Sequence, residues 1–296
     1  MTIATVALLG LGAMGSRVAQ NLLRAGYALV VYNRTADTAK PLLDQGAVFA
    51  ETPQKAAAQA DVVVSMVTDD AASREVWLHP QAGAVQGLQT GKVAIASSTL
   101  TVDWARELAT RVEQTGAAFL DAPIVGSRPQ AEAGKLIYLV GGAADMLQQV
   151  AGVLLASGTV QHVGSTGQGM AMKLMVNALF GIQVLALAEA LGCLTRQGLS
   201  ITQAMDCLAP LPVLSAAAVG AGKLMVANQH APLFPIALVE KDLRYAVTAA
   251  QAVGMELPIS STTQQTFQRA IAAGYGANNI TGVAQLFKGH DSPLLS

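Results

Sequence analysis

An α/β domain with a doubly wound, mostly parallel sheet, followed by an all-helical domain, is the fold class this sequence predicts. Three observations predict it. Short Val/Ile/Leu runs alternate with helix-length segments through the first half of the chain; these runs are continuously apolar rather than alternating; and from about Gly164 onward they give way to long stretches of helical periodicity. Continuous apolar strands belong in a parallel sheet covered on both faces, where neither side of a strand meets water.

The strand-like runs are Thr5–Leu9, Leu29–Tyr32, Val62–Met66, Val93–Ala96, Ala118–Leu120 and Ile137–Val140. The first leads into Gly10-Leu11-Gly12-Ala13-Met14-Gly15 and then a helical run, Ser16–Ala25, which Gly26 can end in a left-handed conformation. A strand, a GxGxxG turn and a helix in that order make a Rossmann unit. The first glycine allows the tight turn, the second lets backbone approach a pyrophosphate, and the third lets helix pack on strand. The helix N-terminus then offers free N–H groups to the phosphates. Residues 1–163 are expected to form this dinucleotide-binding domain and residues 164–296 the helical domain.

With 296 residues, each domain is large enough to bury its own core. A formal net charge of -1 provides no basic surface for nucleic acid. Because 52% of residues are hydrophobic and only 12% charged, apolar surface must be covered, and subunit contacts through the helical domain, as a homodimer or homotetramer, would cover it. Cys193 and Cys207 lack CxxC spacing and the four histidines are scattered, so a reduced, metal-free cytoplasmic protein is expected. Leu174–Cys193 is long enough to raise the question of a membrane span, which takes about twenty apolar residues. Asn177, Gln183 and Glu189 interrupt it, which favours a buried helix and no membrane.

Four further segments carry polar chemistry. After the second strand, where a carboxylate would serve the ribose hydroxyls of NAD(H), the chain reads Asn33-Arg34-Thr35. A guanidinium without that carboxylate suits the 2′-phosphate of NADP(H), so NADP(H) is preferred and NAD(H) remains possible. A solvated loop arginine would look the same in sequence. Asp121 to Gly134 is rich in turn-forming residues and can offer N–H groups and a hydroxyl to a carboxylate, or can be purely structural. Lys173 and Asn177 follow Gly167-Gln168-Gly169 and share one face of an apolar helix at i and i+4. Without a functional task they read as a lysine that snorkels to water and a capping asparagine. Lys241-Asp242, read alone, is a surface ion pair of little energetic weight.

Taken together, the glycine turn at 10–15, the loop at 121–134, the segment Gly167 to Asn177 and the Lys241-Asp242 pair resemble the β-hydroxyacid dehydrogenase family. That family includes 3-hydroxyisobutyrate dehydrogenases, tartronate semialdehyde reductases and glyoxylate/succinic semialdehyde reductases, and the resemblance covers nearly the whole chain. It implies that Lys173 is the catalytic lysine and Asn177 its orienting partner. It also implies that Gly126 and Ser127 bind the substrate carboxylate, and that Lys241 closes over the cofactor. By the same resemblance, Val67, Thr68 and Thr99 line the nicotinamide and ribose pocket. The substrate loop departs from the family pattern: Val125 replaces a serine, and Arg128 adds a guanidinium counted here among the substrate-binding residues.

The implied chemistry is reduction of a small carboxylate-bearing aldehyde, such as a semialdehyde or a glyoxylate-like compound, to the hydroxyacid, or the reverse. Lys173 would give a proton to the developing alkoxide, and in the oxidative direction the neutral amine would take one back. Two alternatives stand beside it. An imine reductase of the same architecture is supported by Asn33-Arg34-Thr35 and opposed by Lys173, where such enzymes usually carry Asp or Tyr. A non-catalytic dinucleotide-binding scaffold is opposed by the retained lysine.

Overall fold

The computed structural model describes residues 3–288. Its nine strands are β1 (Thr5–Leu9), β2 (Ala28–Tyr32), β3 (Val48–Phe49), β4 (Val62–Ser65), β5 (Val93–Ala96), β6 (Ala118–Asp121), β7 (Ile124–Val125), β8 (Leu136–Gly141) and β9 (Gly158–Gly164). The helices that accompany them are α1 (Gly15–Arg24), α2 (Lys40–Leu43), α3 (Pro53–Ala58), α4 (Asp70–Leu78), α5 (Val102–Glu113), α6 (Arg128–Glu132) and α7 (Ala144–Leu155). Beyond the sheet come α8 (Gln168–Arg196), α9 (Ile201–Leu208), α10 (Ala216–Val226), α11 (Ile236–Gln251) and α12 (Pro258–Ala270).

One sheet takes the order β3-β2-β1-β4-β5-β6-β8-β7, with β9 also paired to β8. The six strands from β3 to β6 run parallel. The strand order reverses between β1 and β4, which is where doubly wound sheets open a crevice at their C-terminal edge. The sheet is not parallel throughout. β8 pairs antiparallel with both β6 and β7, because the short loop after β6 turns the chain back instead of crossing over through a helix. The six expected strands form, Thr5–Leu9 and Val93–Ala96 with the expected ends and the other four with one or both ends displaced by one residue. Strands β4 and β5 are buried at every position, as their unbroken apolar sequences require.

Contacts divide the chain into two compact units, Met1–Lys173 and Leu174–Ser296. The division falls inside α8 rather than at its start. The first unit buries the two faces of the sheet, with Trp77 and Trp104 fully enclosed. The second unit is helical, and α11 against α12 is its most extensive packing. Helix α8 has 29 residues and a mean hydropathy of 1.8 in its most apolar window, half of which is buried; by length and composition alone it could cross a bilayer. Cys193 and Cys207 are both exposed free thiols.

Candidate active site

The glycine turn closes β1 and opens α1, and each of its glycines answers to a different constraint. Gly10 has φ +104°, and a Cβ there would lie 2.3 Å from the Met66 carbonyl oxygen. A Cβ at Gly15 would lie 2.0 Å from the Gly10 carbonyl oxygen, so the start of α1 sits directly on the turn. Gly12 is exposed and has no protein atom within 4 Å of such a Cβ. The fold therefore requires glycine at 10 and 15, whereas the open space above Gly12 fits the approach of a pyrophosphate. No side-chain bond caps α1 at Met14; the Ser16 and Arg17 N–H groups donate to the Gly12 and Met14 carbonyls, both at 3.1 Å, and the positive end of the helix faces the turn.

The loops after the neighbouring strands converge on the same edge of the sheet. Asn33 Oδ1 accepts the Leu11 N–H at 3.0 Å, and its amide donates to the Thr35 carbonyl at 3.0 Å and to Thr38 Oγ1 at 2.6 Å. Arg34 and Thr35 are exposed beside it. The Val67 N–H donates to Ser98 Oγ at 2.8 Å, joining the loop after β4, which carries Val67 and Thr68, to the loop after β5, which carries Thr99. Thr5–Leu9, Val62–Ser65 and Val93–Ala96 thus bring their predicted cofactor residues to one edge, where the Ser98 hydroxyl, not among the residues expected there, holds two of the loops together.

The loop after β6 is short and held at both ends. Gly126 has φ +126°, a conformation that glycine adopts without penalty. Ser127 N–H and Ser127 Oγ both donate to Gln130 Oε1, at 3.0 and 2.8 Å. The hydroxyl expected to meet a substrate is therefore engaged within its own loop. Arg128 is half-buried, and its Nε is enclosed with no hydrogen-bond partner among the described residues. Helix α6 is fixed to α1: Asn21 Nδ2 donates to the Ala131 carbonyl at 2.8 Å, and Arg17 pairs with Glu132 at 2.7 Å. The glycine-turn helix thereby clamps the segment that follows the candidate substrate loop.

Asp121 ends β6 and is fully buried. Its Oδ1 accepts the Gly167 N–H at 2.7 Å and its Oδ2 accepts the Met170 N–H at 2.8 Å. These are orphan donors of the first turn of α8, and a carboxylate there complements the positive end of the helix, an interaction worth about 0.3–1 kcal/mol and up to ~2 when partly buried. Burial pushes the Asp121 carboxyl above its ordinary value, more than the backbone N–H groups of Gly167, Met170 and Gly169 pull it down.

Lys173 and Asn177 are each 7% exposed, so the lysine does not simply run out to water. Asn177 Nδ2 donates to Asp242 Oδ2 at 2.6 Å, and Lys241 Nζ lies 3.2 Å from Asp242 Oδ1. Lys241 also stands over the Tyr245 ring, 5.1 Å from its centroid. The pair is not the surface ion pair its sequence suggests: the two side chains are 9% and 4% exposed. Asp242 binds both an amide and an ammonium, and nothing in the sequence pattern linked it to Asn177, which lies 65 positions earlier.

Two family models match. The NAD binding domain of 6-phosphogluconate dehydrogenase matches residues 5–174, and the NAD-binding model of NADP-dependent 3-hydroxyisobutyrate dehydrogenase matches residues 167–287. Glyoxylate/succinic semialdehyde reductase 2 of Arabidopsis thaliana is 30% identical over 291 residues, covering 96% of this chain and 79% of that protein. L-threonate dehydrogenase of Cupriavidus necator is 29% identical over 97% of both chains. The structure of Mycobacterium tuberculosis 3-hydroxyisobutyrate dehydrogenase with L-serine superposes with a TM-score of 0.89 at 27% identity, covering 97% of this chain and 100% of that one. Solved imine reductases and reductive aminases share the fold more distantly, with TM-scores of 0.60 to 0.62.

Proposed function

The chain belongs to the β-hydroxyacid dehydrogenase family of NAD(P)-dependent oxidoreductases, and from that premise we propose that it reduces a small carboxylate-bearing aldehyde to its hydroxyacid with NADPH, reversibly. The observation that carries the reading is the buried face of α8 bearing Lys173 and Asn177. This buried lysine stands four residues, one helical turn, from an amide whose orientation Asp242 fixes.

When bound, the nicotinamide dinucleotide supplies the hydride that reaches the carbonyl carbon. Gly10, Leu11, Gly12, Ala13, Met14 and Gly15 hold its pyrophosphate, Arg34 meets its 2′-phosphate from the turn that Asn33 braces and Thr35 completes, and Val67, Thr68 and Thr99 hold its ribose and nicotinamide. Lys241 is assigned to the cofactor as well. Gly126 and Ser127 receive the substrate carboxylate, the Ser127 hydroxyl exchanging Gln130 for it, with the Arg128 guanidinium, whose Nε is enclosed, adding a cationic contact. Lys173 gives its Nζ proton to the carbonyl oxygen as negative charge builds there, and Asn177 orients the reacting end. In the oxidative direction the neutral amine takes the hydroxyl proton.

The same reading makes the protein a cytoplasmic homodimer or homotetramer in which α8 is a core helix rather than a membrane span. Its polar Asn177, Gln183 and Glu189 support that, and the exposed Met172 and Leu179 supply apolar surface for a subunit contact. The test is NADPH oxidation followed spectrophotometrically with glyoxylate, succinic semialdehyde, methylmalonate semialdehyde, tartronate semialdehyde and a cyclic imine. Turnover of an aldehyde acid is expected. Turnover of the imine alone would move the assignment to an imine reductase, and no turnover at all would favour a dinucleotide-binding scaffold.

A further inference from the structure

We propose that Asp121 is a positioning residue for Lys173, acting through the first turn of α8 and setting the distance from the proton donor to the substrate loop. The inference rests on Lys173 being the proton donor of the preceding section.

An α-helix usually satisfies its first N–H groups with a Ser, Thr, Asp or Asn of its own N-cap. Here glycine stands at 167, and the acceptor is a carboxylate from a strand 46 residues earlier. A cap within the helix would satisfy the same donors without tying the helix to anything. The carboxylate from β6 does tie it, and it does so with both oxygens, one to Gly167 and one to Met170.

The helix start is held in both directions. Withdrawal from the sheet breaks two bonds of 2.7 and 2.8 Å. Closer approach is blocked because glycine already lies at the contact: a Cβ at Gly169 would fall 2.5 Å from the Leu139 carbonyl and 2.7 Å from Asp121 Oδ2. Across the same contact, a Cβ at Gly141 would fall 2.5 Å from Asp121 Oδ1 and 2.7 Å from the Ser165 carbonyl. Gly141 is also the partner of Asp121 in the β6–β8 ladder, so the anchor sits where the antiparallel strand joins the parallel sheet.

Lys173 follows Met170 by three residues and Gly169 by four, the two spacings that put side chains next to one another on a helix. At a rise of about 1.5 Å per residue it stands ~5 Å along the axis from the anchored turn. From the same Asp121, the main chain continues directly into Ala122, Pro123 and the loop bearing Gly126, Ser127 and Arg128. One residue thus fixes the donor helix through its side chain and the substrate loop through its backbone.

Misplacing a reacting group by about 1 Å costs on the order of 100-fold in rate, so Asp121→Asn, which turns an N–H₂ toward backbone donors, is expected to lower kcat by about that factor. The assay is the best aldehyde of the screen above, with NADPH affinity measured by nucleotide fluorescence and expected to hold within about twofold. In a Lys173→Ala background, Asp121→Asn is expected to add no further loss, because its effect runs through the lysine. A kcat within about threefold of wild type overturns the proposal, as does an equal loss in the two backgrounds or a parallel loss of NADPH affinity. Should Asp121→Asn not fold, Gly169→Ala keeps the carboxylate but crowds it from the helix side; the same kcat loss is expected, and an unchanged kcat overturns the proposal. If Lys173→Ala keeps wild-type turnover, the proposed function itself fails and this inference with it. If Lys173→Ala is inactive while Asp121→Asn is not, only the inference fails.

Discussion

Asn33 Oδ1 accepts the Leu11 N–H at 3.0 Å, tying the residue after β2 to the glycine turn. The amide of the same side chain holds Thr35 and Thr38, so Asn33 braces two loops while Arg34 stays exposed to reach a ligand.

Cofactor preference follows from that division of labour. Arg34→Ala is expected to weaken NADPH binding by about tenfold or more, the worth of a charge-assisted bond to a phosphate, and to leave NADH binding nearly unchanged. Asn33→Asp keeps the acceptor for Leu11, loses both donated bonds, and places a negative charge beside the 2′ position, so it moves preference toward NADH. Fluorescence titration of both nucleotides measures the ratio. A ratio that stays constant in both variants refutes the assignment of the 2′-phosphate pocket.

The glycines separate folding from binding. Gly12→Ala has room within the protein, so a melting temperature near wild type is expected together with a dinucleotide affinity weaker by about tenfold. Gly10→Ala combines φ +104° with a Cβ 2.3 Å from the Met66 oxygen. It is expected to cost roughly 2–4 kcal/mol of stability by urea unfolding. Equal stability in the two variants contradicts this division.

The pH dependence of stability reports on Asp121. Its carboxyl is raised in the folded protein, chiefly by burial, so the native state holds the proton more tightly than the unfolded chain. The stability it contributes is therefore complete below the unfolded carboxyl value of about 3.9 and is lost as pH rises through the folded value. Asp121→Asn cannot titrate. Relative to wild type it is expected to gain stability as pH rises above about 4, as measured by urea unfolding at several pH values. A difference that stays flat across that range contradicts a raised carboxyl.

Much of the fold was legible because the parallel strands carry their own signal. Val62–Ser65 and Val93–Ala96 are apolar at nearly every position and buried at all of them, and the glycine turn names the strand and helix beside it. What was missed lacks any such period. β3 and β7 contain two residues each, and β9, Gly-Thr-Val-Gln-His-Val-Gly, is a partly exposed strand whose polar residues resemble a loop. The antiparallel return of β8 depends on how the loop after β6 turns, and its residue types do not state that.

For the candidate site, residue types with a chemical task were visible, but their partners were not. Lys173 and Asn177 declare themselves as polar groups on an apolar helix. Asp121 meets Gly167 and Met170 across 46 and 49 positions, and Asn177 meets Asp242 across 65. Bonds between such distant positions are made by the fold and leave no local pattern. For the same reason Lys241-Asp242 read as a surface pair, although both side chains are buried.

The most direct test of the account is steady-state turnover of Lys173→Ala set beside its NADPH affinity. Loss of a positioned proton donor is expected to lower kcat by about 10²–10⁴-fold, with the NADPH dissociation constant nearly unchanged. Wild-type turnover in that variant would contradict Lys173 as the proton donor, and with it the mechanism proposed for this protein.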